Sequence, residues 1–239
     1  MTTPADGRPL YDSFAGDYER HAAASPYNAL YDRPAVLEVL GPVDGLRVLD
    51  AGCGPGFYAE ALVVGGASVV AFDQSPEMAR LARRRVGDGV AVRVHDLAEP
   101  LDWLEDESFD AAVLALVIHY VDDREAMLRE LYRVLRPGGR LVVSTHHPTA
   151  DWLRLGGSYF TTGVVEEYLQ DGKWLMRFWR QPLTATCAEF AAAGFLIERL
   201  VEPQPVAEMA DRFPEDHQKL QREPGFMVFS LLKPAGAAG

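Results

Sequence analysis

The stretch "RVLDAGCGPGFYAEAL", residues 47–62, joins a short apolar run, three glycines at alternate positions and a helix-forming continuation. It reads as a strand over Arg47–Asp50, a tight turn, and a helix around Tyr58–Val64. Gly52, Gly54 and Gly56 let the backbone bend sharply and let a ligand approach where a Cβ would block it. The helix behind them aims its first amides at that ligand. A nucleotide-type ligand is implied. The spacing is G-x-G-x-G rather than the G-x-G-x-x-G of dinucleotide folds, and Asp50 stands just before the first glycine. A carboxylate there would repel a pyrophosphate but can accept hydrogen bonds from an ammonium group.

Working outward, short apolar runs alternate with longer helical patterns, the rhythm of a parallel sheet with crossover helices. Further strands are expected at Ser68–Phe72, Val90–Val94, Ala111–Leu116 and Arg140–Ser144, with helices at Pro76–Val86 and Arg124–Leu135. In the last helix Met127, Leu128, Leu131, Val134 and Leu135 recur at spacings of three and four, a stripe that would cover the sheet. "RPGG", 136–139, is expected to stop that helix and turn the chain into the next strand. Asp73, at the end of the second strand, follows Gly52 by about the interval of a ribose-binding carboxylate, and Asp96 stands beyond the third. Taken singly, each aspartate reads equally well as a helix N-cap. Three strand ends in order with a glycine loop make a much more specific pattern.

The C-terminal third departs from the alternation. "VVEEYLQDGKWLMRFW", 164–179, reads as a hairpin around Asp171 and Gly172, followed by a helix at Thr184–Ala193 that Gly194 ends. Strands at Phe195–Val201 and Phe226–Leu232 follow, separated by a polar, proline-bearing connection, and the terminal "PAGAAG" is expected to fray. Residues 150–181 hold three of the four tryptophans, which suits a pocket for an apolar or aromatic small molecule. Trp152 and Tyr159, near glycines, are the pocket candidates, whereas Trp174 and Phe178 alternate as core-facing strand residues do.

"VSTHHPTADW", 143–152, places His146 and His147 at the carboxyl edge after the fifth strand, and His119 lies beyond the fourth. A neutral imidazole at this rim can accept a proton from a hydroxyl or amine, or simply bond to backbone as a polar cap. His147 is favoured as a base because Pro148 would hold its backbone extended. No metal is expected: adjacent histidines on an extended chain point apart, and no convincing third and fourth ligand is present. "VDD", 121–123, reads as a cap for the next helix.

Composition bounds these readings. At 239 residues, 48% of them hydrophobic, the chain is expected to form one domain over 1–239. A formal net charge of −12 argues against nucleic acid and anionic membranes as partners, and the one short basic cluster, "RLARRR" at 80–85, reads as a solvated helix face. Two cysteines, Cys53 and Cys187, build no disulfide framework. The start "MTTPADGRPLYDSF" lacks a signal-peptide pattern and no apolar run is long enough to span a bilayer, so a cytoplasmic location is expected. The sequence leaves the oligomeric state open.

Four segments, "VLDAGCGPG", "VVAFDQSPEMARLARRR", "SFDAAVLALVIHYVDD" and "LRELYRVLRPGGRLVVS", together resemble, in order, the class I S-adenosylmethionine-dependent methyltransferases. The likeness is to the small-molecule group that includes the ubiquinone and menaquinone methyltransferases, and covers roughly Tyr11 to Thr145. It implies an α/β fold of Rossmann-like, doubly wound type: a seven-stranded, mostly parallel sheet with an antiparallel last strand and helices on both faces. It also implies S-adenosyl-L-methionine as cofactor and a small organic molecule as methyl acceptor. By that resemblance Asp50 and the loop Gly52, Cys53, Gly54 to Gly56 hold the amino-acid portion, Asp73 the ribose hydroxyls, and Gln74 and Met78 the ribose and adenine surroundings. Asp96 with the backbone of Leu97 meets the adenine amino group, and Leu114 to Leu116 lie beside the sulfonium. Residues 1–40 become an aromatic helical lid carrying Tyr11, Phe14 and Tyr18, and 148–182 an acceptor-side insertion with Trp152 and Tyr159. Two other readings stay open: an NAD-type oxidoreductase, against which Asp50 and the glycine spacing count, and a non-catalytic S-adenosylmethionine-binding protein.

Overall fold

In the computed structural model the described residues are 9, 11–169 and 172–235. Residues 1–8 and Leu10 of the N-terminal segment, Asp171 of the expected hairpin turn, and residues 236–239 of the terminal run lie outside them.

In chain order the strands are Arg47–Ala51 (β1), Ser68–Asp73 (β2), Ala91–Val94 (β3), Phe109–Ala115 (β4), Leu135–His146 (β5), Gly163–Leu169 (β6), Trp174–Arg180 (β7), Leu196–Val201 (β8) and Phe226–Leu232 (β9). The α-helices are Ala15–Ala24 (α1), Arg33–Leu40 (α2), Phe57–Val64 (α3), Pro76–Val86 (α4), Arg124–Val134 (α5), Pro148–Leu155 (α6), Leu183–Ala192 (α7), Ala207–Arg212 (α8) and Pro214–Leu220 (α9). Seven strands form one sheet in the order β3-β2-β1-β4-β5-β9-β8. β9 runs antiparallel to both of its neighbours and the other six strands are parallel to one another. The order reverses between β1 and β4, so a crevice opens beyond their carboxyl ends, where open α/β sheets bind ligands.

The apolar runs are continuous because both faces are covered. Val48 on β1 packs with Val36 and Val39 of α2 and Leu62 of α3, while Leu49 packs on the opposite face with Leu128 and Leu131 of α5 and Phe190 of α7. The α5 stripe therefore covers the sheet as its spacing predicts. "RPGG" behaves differently from expectation. Leu135 already pairs with Phe109 and pairing resumes at Arg140 with Ala111, so residues 136–139 bulge out of β5, with Gly138 at φ +82°. β4 ends at Ala115, leaving Leu116 outside the strand at φ +55°.

Three short helices fall where loops were expected: α6 after the histidines, and α8 and α9 in the polar connection before β9. At six to eight residues they are too short to show a helical period. β6 and β7 pair only with each other, and β7 alternates so that Trp174, Met176, Phe178 and Arg180 are buried. Among the described residues, no helix is long and apolar enough to cross a membrane.

Candidate active site

The glycine turn and the end of β2 form the floor of the first cavity. Gly54, at φ +51°, has open space where a Cβ would project, and its N–H donates to Asp73 Oδ2 at 2.9 Å. Asp73 Oδ1 accepts from Ser75 N–H at 2.9 Å, so one carboxylate fixes the loop and the start of α4 together. Gly56 has another reason to be glycine: its Cβ would come within 2.9 Å of the Ala82 backbone, so it lets α3 approach α4. Gly52, Cys53, Gly54, Asp73, Gln74 and Met78 line the cavity together with Leu116 and Val117, the latter packed against Gly52 so closely that a Cβ there would come within 2.7 Å of it. Leu116 is held in its left-handed conformation by N–H bonds to Ser144, to the backbone oxygen at 3.0 Å and to Oγ at 3.1 Å. Such conformations persist only where surroundings over-determine them, and they cluster at functional sites.

Asp32, Arg33 and Tyr58 also line this cavity. Asp32 Oδ2 accepts from Tyr58 OH, while Asp32 Oδ1 and Arg33 Nε are buried without hydrogen-bond partners. Asp50 is 1% exposed, and its Oδ2 also lacks a partner. Burial pushes Asp50 up to about 7, against the opposing pull of the Ala59 N–H. It pushes Asp32 and Asp73 up to about 6, each opposed by its hydrogen bonds. Unpartnered polar groups of both signs thus sit in or beside one cavity. That matches the chemistry of an amino-acid zwitterion.

The N-terminal segment covers this cavity. Asp12 accepts from Ser75 Oγ at 2.7 Å and from Glu77 N–H at 3.2 Å, and Glu19 bridges Arg84 and Arg85 at 2.7 and 2.8 Å. The basic cluster read as a solvated face thus also anchors α1 to α4. Tyr11 and Tyr18 line the cavity, with the Tyr11 hydroxyl 2.7 Å from that of Tyr120. Phe14 lies outside it, stacked on Trp174 of the hairpin at 5.2 Å and 11°.

A second cleft, of about 820 Å3, shares Asn28 and Tyr120 with the first. Its walls include His146, Asp151, Arg154, Met176, Phe178 and Phe226. The His146 ring stacks on His119 at 4.0 Å and on Phe226 at 5.9 Å, with the Phe178 ring edge-on at 5.0 Å. His119 is buried, its Nδ1 3.0 Å from Thr145 Oγ1, and burial keeps its pKa well below the usual imidazole value. Burial also lowers His146, against the opposing pull of Asp151.

Several expectations need correcting. His147, not His146, turns away from the cleft. Its Nδ1 accepts from Thr149 N–H at 3.2 Å as the N-cap of α6, and its Nε2 meets Glu202 at 2.9 Å, so both nitrogens are engaged. Trp152 and Tyr159 line neither cavity. Trp152 Nε1 donates to Gly157 O, and Tyr159 OH accepts from Leu183 N–H. The apolar wall comes instead from Met176 and Phe178, the core-facing side of β7. Asp96 and Leu97 stand just outside the first cavity: Asp96 Oδ1 closes a turn on Ala98 N–H and Leu97 is buried. Leu114 faces the core rather than the cavity. Sequence reasoning missed Asn28, Asp32, Arg33, Tyr58 and Tyr120. The signal available was "YDRP", 31–34, a charged pair at the N-cap and first position of α2. Among the described residues, no group of three or more His, Cys, Asp or Glu could hold a metal ion.

Comparison with known proteins places this geometry. A family described as a methyltransferase domain matches residues 49–143. The demethylmenaquinone methyltransferase of Clavibacter sepedonicus is 37% identical over 142 residues, covering 59% of this chain and 58% of the relative. The chain thus spans about three fifths of the length of the curated relatives it matches. The S-adenosylmethionine-dependent methyltransferase of Mesorhizobium loti superposes with a TM-score of 0.69 at 26% identity, covering 88% of this chain and 99% of that one. A DhpI-SAM-HEP complex superposes with a TM-score of 0.65 at 27% identity, covering 92% and 93%. Strand order, glycine loop and relatives agree in likeness: residues 49–143 match a methyltransferase domain, in a fold that superposes on S-adenosylmethionine-dependent methyltransferases.

Proposed function

We propose that the protein transfers a methyl group from S-adenosyl-L-methionine to a small organic acceptor. The observation that carries this reading is the pair of adjoining cavities. One has the glycine loop and Asp73 in its wall, the other has His146, and Asn28 and Tyr120 are common to both. The cofactor supplies an electrophilic methyl on a sulfonium, and the protein's part is alignment and exclusion of water. Asp73 and Gln74 would hold the ribose, and Met78 would pack beside the adenine. Asp50 and Asp32 would take the ammonium, while Arg33 would take the carboxylate with a guanidinium that already lies 4.4 Å over the Phe57 ring. Ala115 to Val117 would fix the reacting end where the two cavities meet.

In this reading residues 1–40 act as the lid over the cofactor and residues 148–182 as the acceptor-side insertion. The acceptor would lie against Met176, Phe178 and Phe226, an apolar wall suited to an aromatic or aliphatic body. His146 is the base for an acceptor that must lose a proton. Alignment of acceptor, methyl and sulfur could supply about 7–11 kcal/mol of the barrier reduction, and a positioned base about 10²–10⁴-fold more in rate. Binding is tested by calorimetry with S-adenosylmethionine and with NAD, and turnover by methyl transfer to a panel of phenols, amines and thiols. Micromolar S-adenosylmethionine binding with transfer to at least one panel member is expected. Preferential NAD binding would overturn the assignment, and cofactor binding without any transfer would favour a non-catalytic binding protein.

A further inference from the structure

The acceptor cleft contains a carboxylate with no part in the reading so far. Asp151 is 6% exposed and lines both the cleft and a smaller polar cavity behind it, as His146 does. Its Oδ1 accepts from Arg154 at 3.0 Å, and Arg154 is held in turn by Glu167 of β6, so the carboxylate has a fixed orientation. Its Oδ2 stands 3.8 Å from His146 Nδ1, and that nitrogen is buried with no hydrogen-bond partner. The ring cannot easily turn away, since His119 and Phe226 stack on its faces and Phe178 meets it edge-on. With Nδ1 buried, the ring nitrogen left to the cleft is Nε2.

We propose that Asp151 is a positioning residue for His146: it holds the proton on Nδ1, keeps Nε2 as a free acceptor facing the cleft, and so selects an acceptor with an O–H or N–H to give up. This rests on the methyltransferase reading above. A gap of 3.8 Å is longer than a hydrogen bond, but catalytic hydrogen bonds are often long without ligand and tighten in the complex. In the reaction, the acceptor's lone pair forms the new bond to the methyl carbon as the carbon–sulfur bond breaks. That bond's electron pair goes to sulfur, leaving a neutral thioether. The acceptor's proton passes to His146 Nε2, and the imidazolium, stabilised by Asp151, later returns it to water. The charged and titratable groups facing His146 are His119, Asp151 and Arg154, with Glu167 behind Arg154.

The test needs no identified acceptor. Two-bond ¹⁵N–¹H spectra of ¹⁵N-histidine-labelled protein report each ring's tautomer, with His146 assigned by the signal lost in His146→Gln. The wild type should show His146 protonated on Nδ1, Asp151→Asn should move it to mainly the Nε2–H form, and Asp151→Glu should restore the Nδ1–H form. An Nε2–H tautomer in the wild type, or the same tautomer in wild type and Asp151→Asn, overturns the proposal. If the asparagine variant fails to fold, the wild-type spectrum still decides. With catechol and tyramine as probe acceptors, Asp151→Asn should lower kcat by about tenfold or more with KM within about twofold. A wild type that does not bind S-adenosylmethionine would sink the methyltransferase reading while leaving the tautomer result standing. A failed tautomer test with cofactor binding intact would sink only this inference.

Discussion

Both ring nitrogens of His147 are engaged in holding structure: one accepts from Thr149 N–H at the start of α6, the other meets Glu202. Its loss should therefore lower stability rather than turnover. His147→Ala removes an N-cap worth about 1 kcal/mol, which for a chain of this size lowers Tm by about 2–4 °C. Methyl transfer per folded molecule should stay within about twofold of wild type, measured beside a thermal melt. A tenfold fall in kcat with unchanged Tm would return His147 to the reaction. The glycine loop was legible because a strand, three glycines and a carboxylate within ten residues are a local pattern. Which of two adjacent histidines faces the cleft was not legible. It depends on β5 running on to His146 and on Pro148 starting a helix that recruits the next ring as its cap. Pro148 does hold His147 extended, at φ −77° and ψ 125°, but proline is also common at the first helical position, and the helix it starts takes that ring as its cap.

The N-terminal helix and the β6–β7 hairpin are distant in sequence and meet over the cavities through rings. Phe14 stacks on Trp174, and His21 meets the same indole edge-on at 5.3 Å. On the other side, Glu19 and Asp12 fasten the segment to α4. The N-terminal segment is thus tied to α4 by charge and to the hairpin by aromatic packing. If the stack couples the two elements, Phe14→Ala and Trp174→Ala should not be additive. A double-mutant cycle on thermal or denaturant stability should give about 0.5–1.5 kcal/mol of interaction. Additivity within about 0.3 kcal/mol would mean that the rings are merely adjacent. The individual elements showed in the sequence as a Tyr11, Phe14, Tyr18 spacing and as an alternating hairpin. Their contact did not, because a single sequence carries no record of non-local pairing. For the same reason Met176 and Phe178 read as core: a strand face buried against the body and one lining a cleft have the same period.

Across the whole molecule, two strand ends and the N-cap of α2 gather Asp50, Asp73 and Asp32 at one rim of a chain with formal net charge −12. Burial holds their folded pKa values at about 6, 7 and 6, above the ordinary 3.8. A carboxyl raised on folding stabilises the fold fully only below its unfolded value. That contribution is lost as pH rises through about 6–7, because ionising the buried group is then opposed by desolvation. His119 and His146, lowered by burial, act with the opposite sign as pH falls below 6.5, so overall stability hides the effect. Ligand affinity isolates it. A cationic ammonium and sulfonium favour the ionised carboxylates, so binding below about pH 7 must release a proton. Affinity should then rise by up to about tenfold per pH unit for one coupled proton, roughly 1.4 kcal/mol. Calorimetry with S-adenosylmethionine at pH 5.5, 6.5 and 7.5, in two buffers of different ionisation enthalpy, should show tighter binding towards pH 7.5. The apparent enthalpy should depend on the buffer at the two lower values, and Asp50→Asn should flatten both trends. Affinity that is constant across this range, with no buffer dependence, would mean that these carboxyls are already ionised or that the ammonium lies elsewhere.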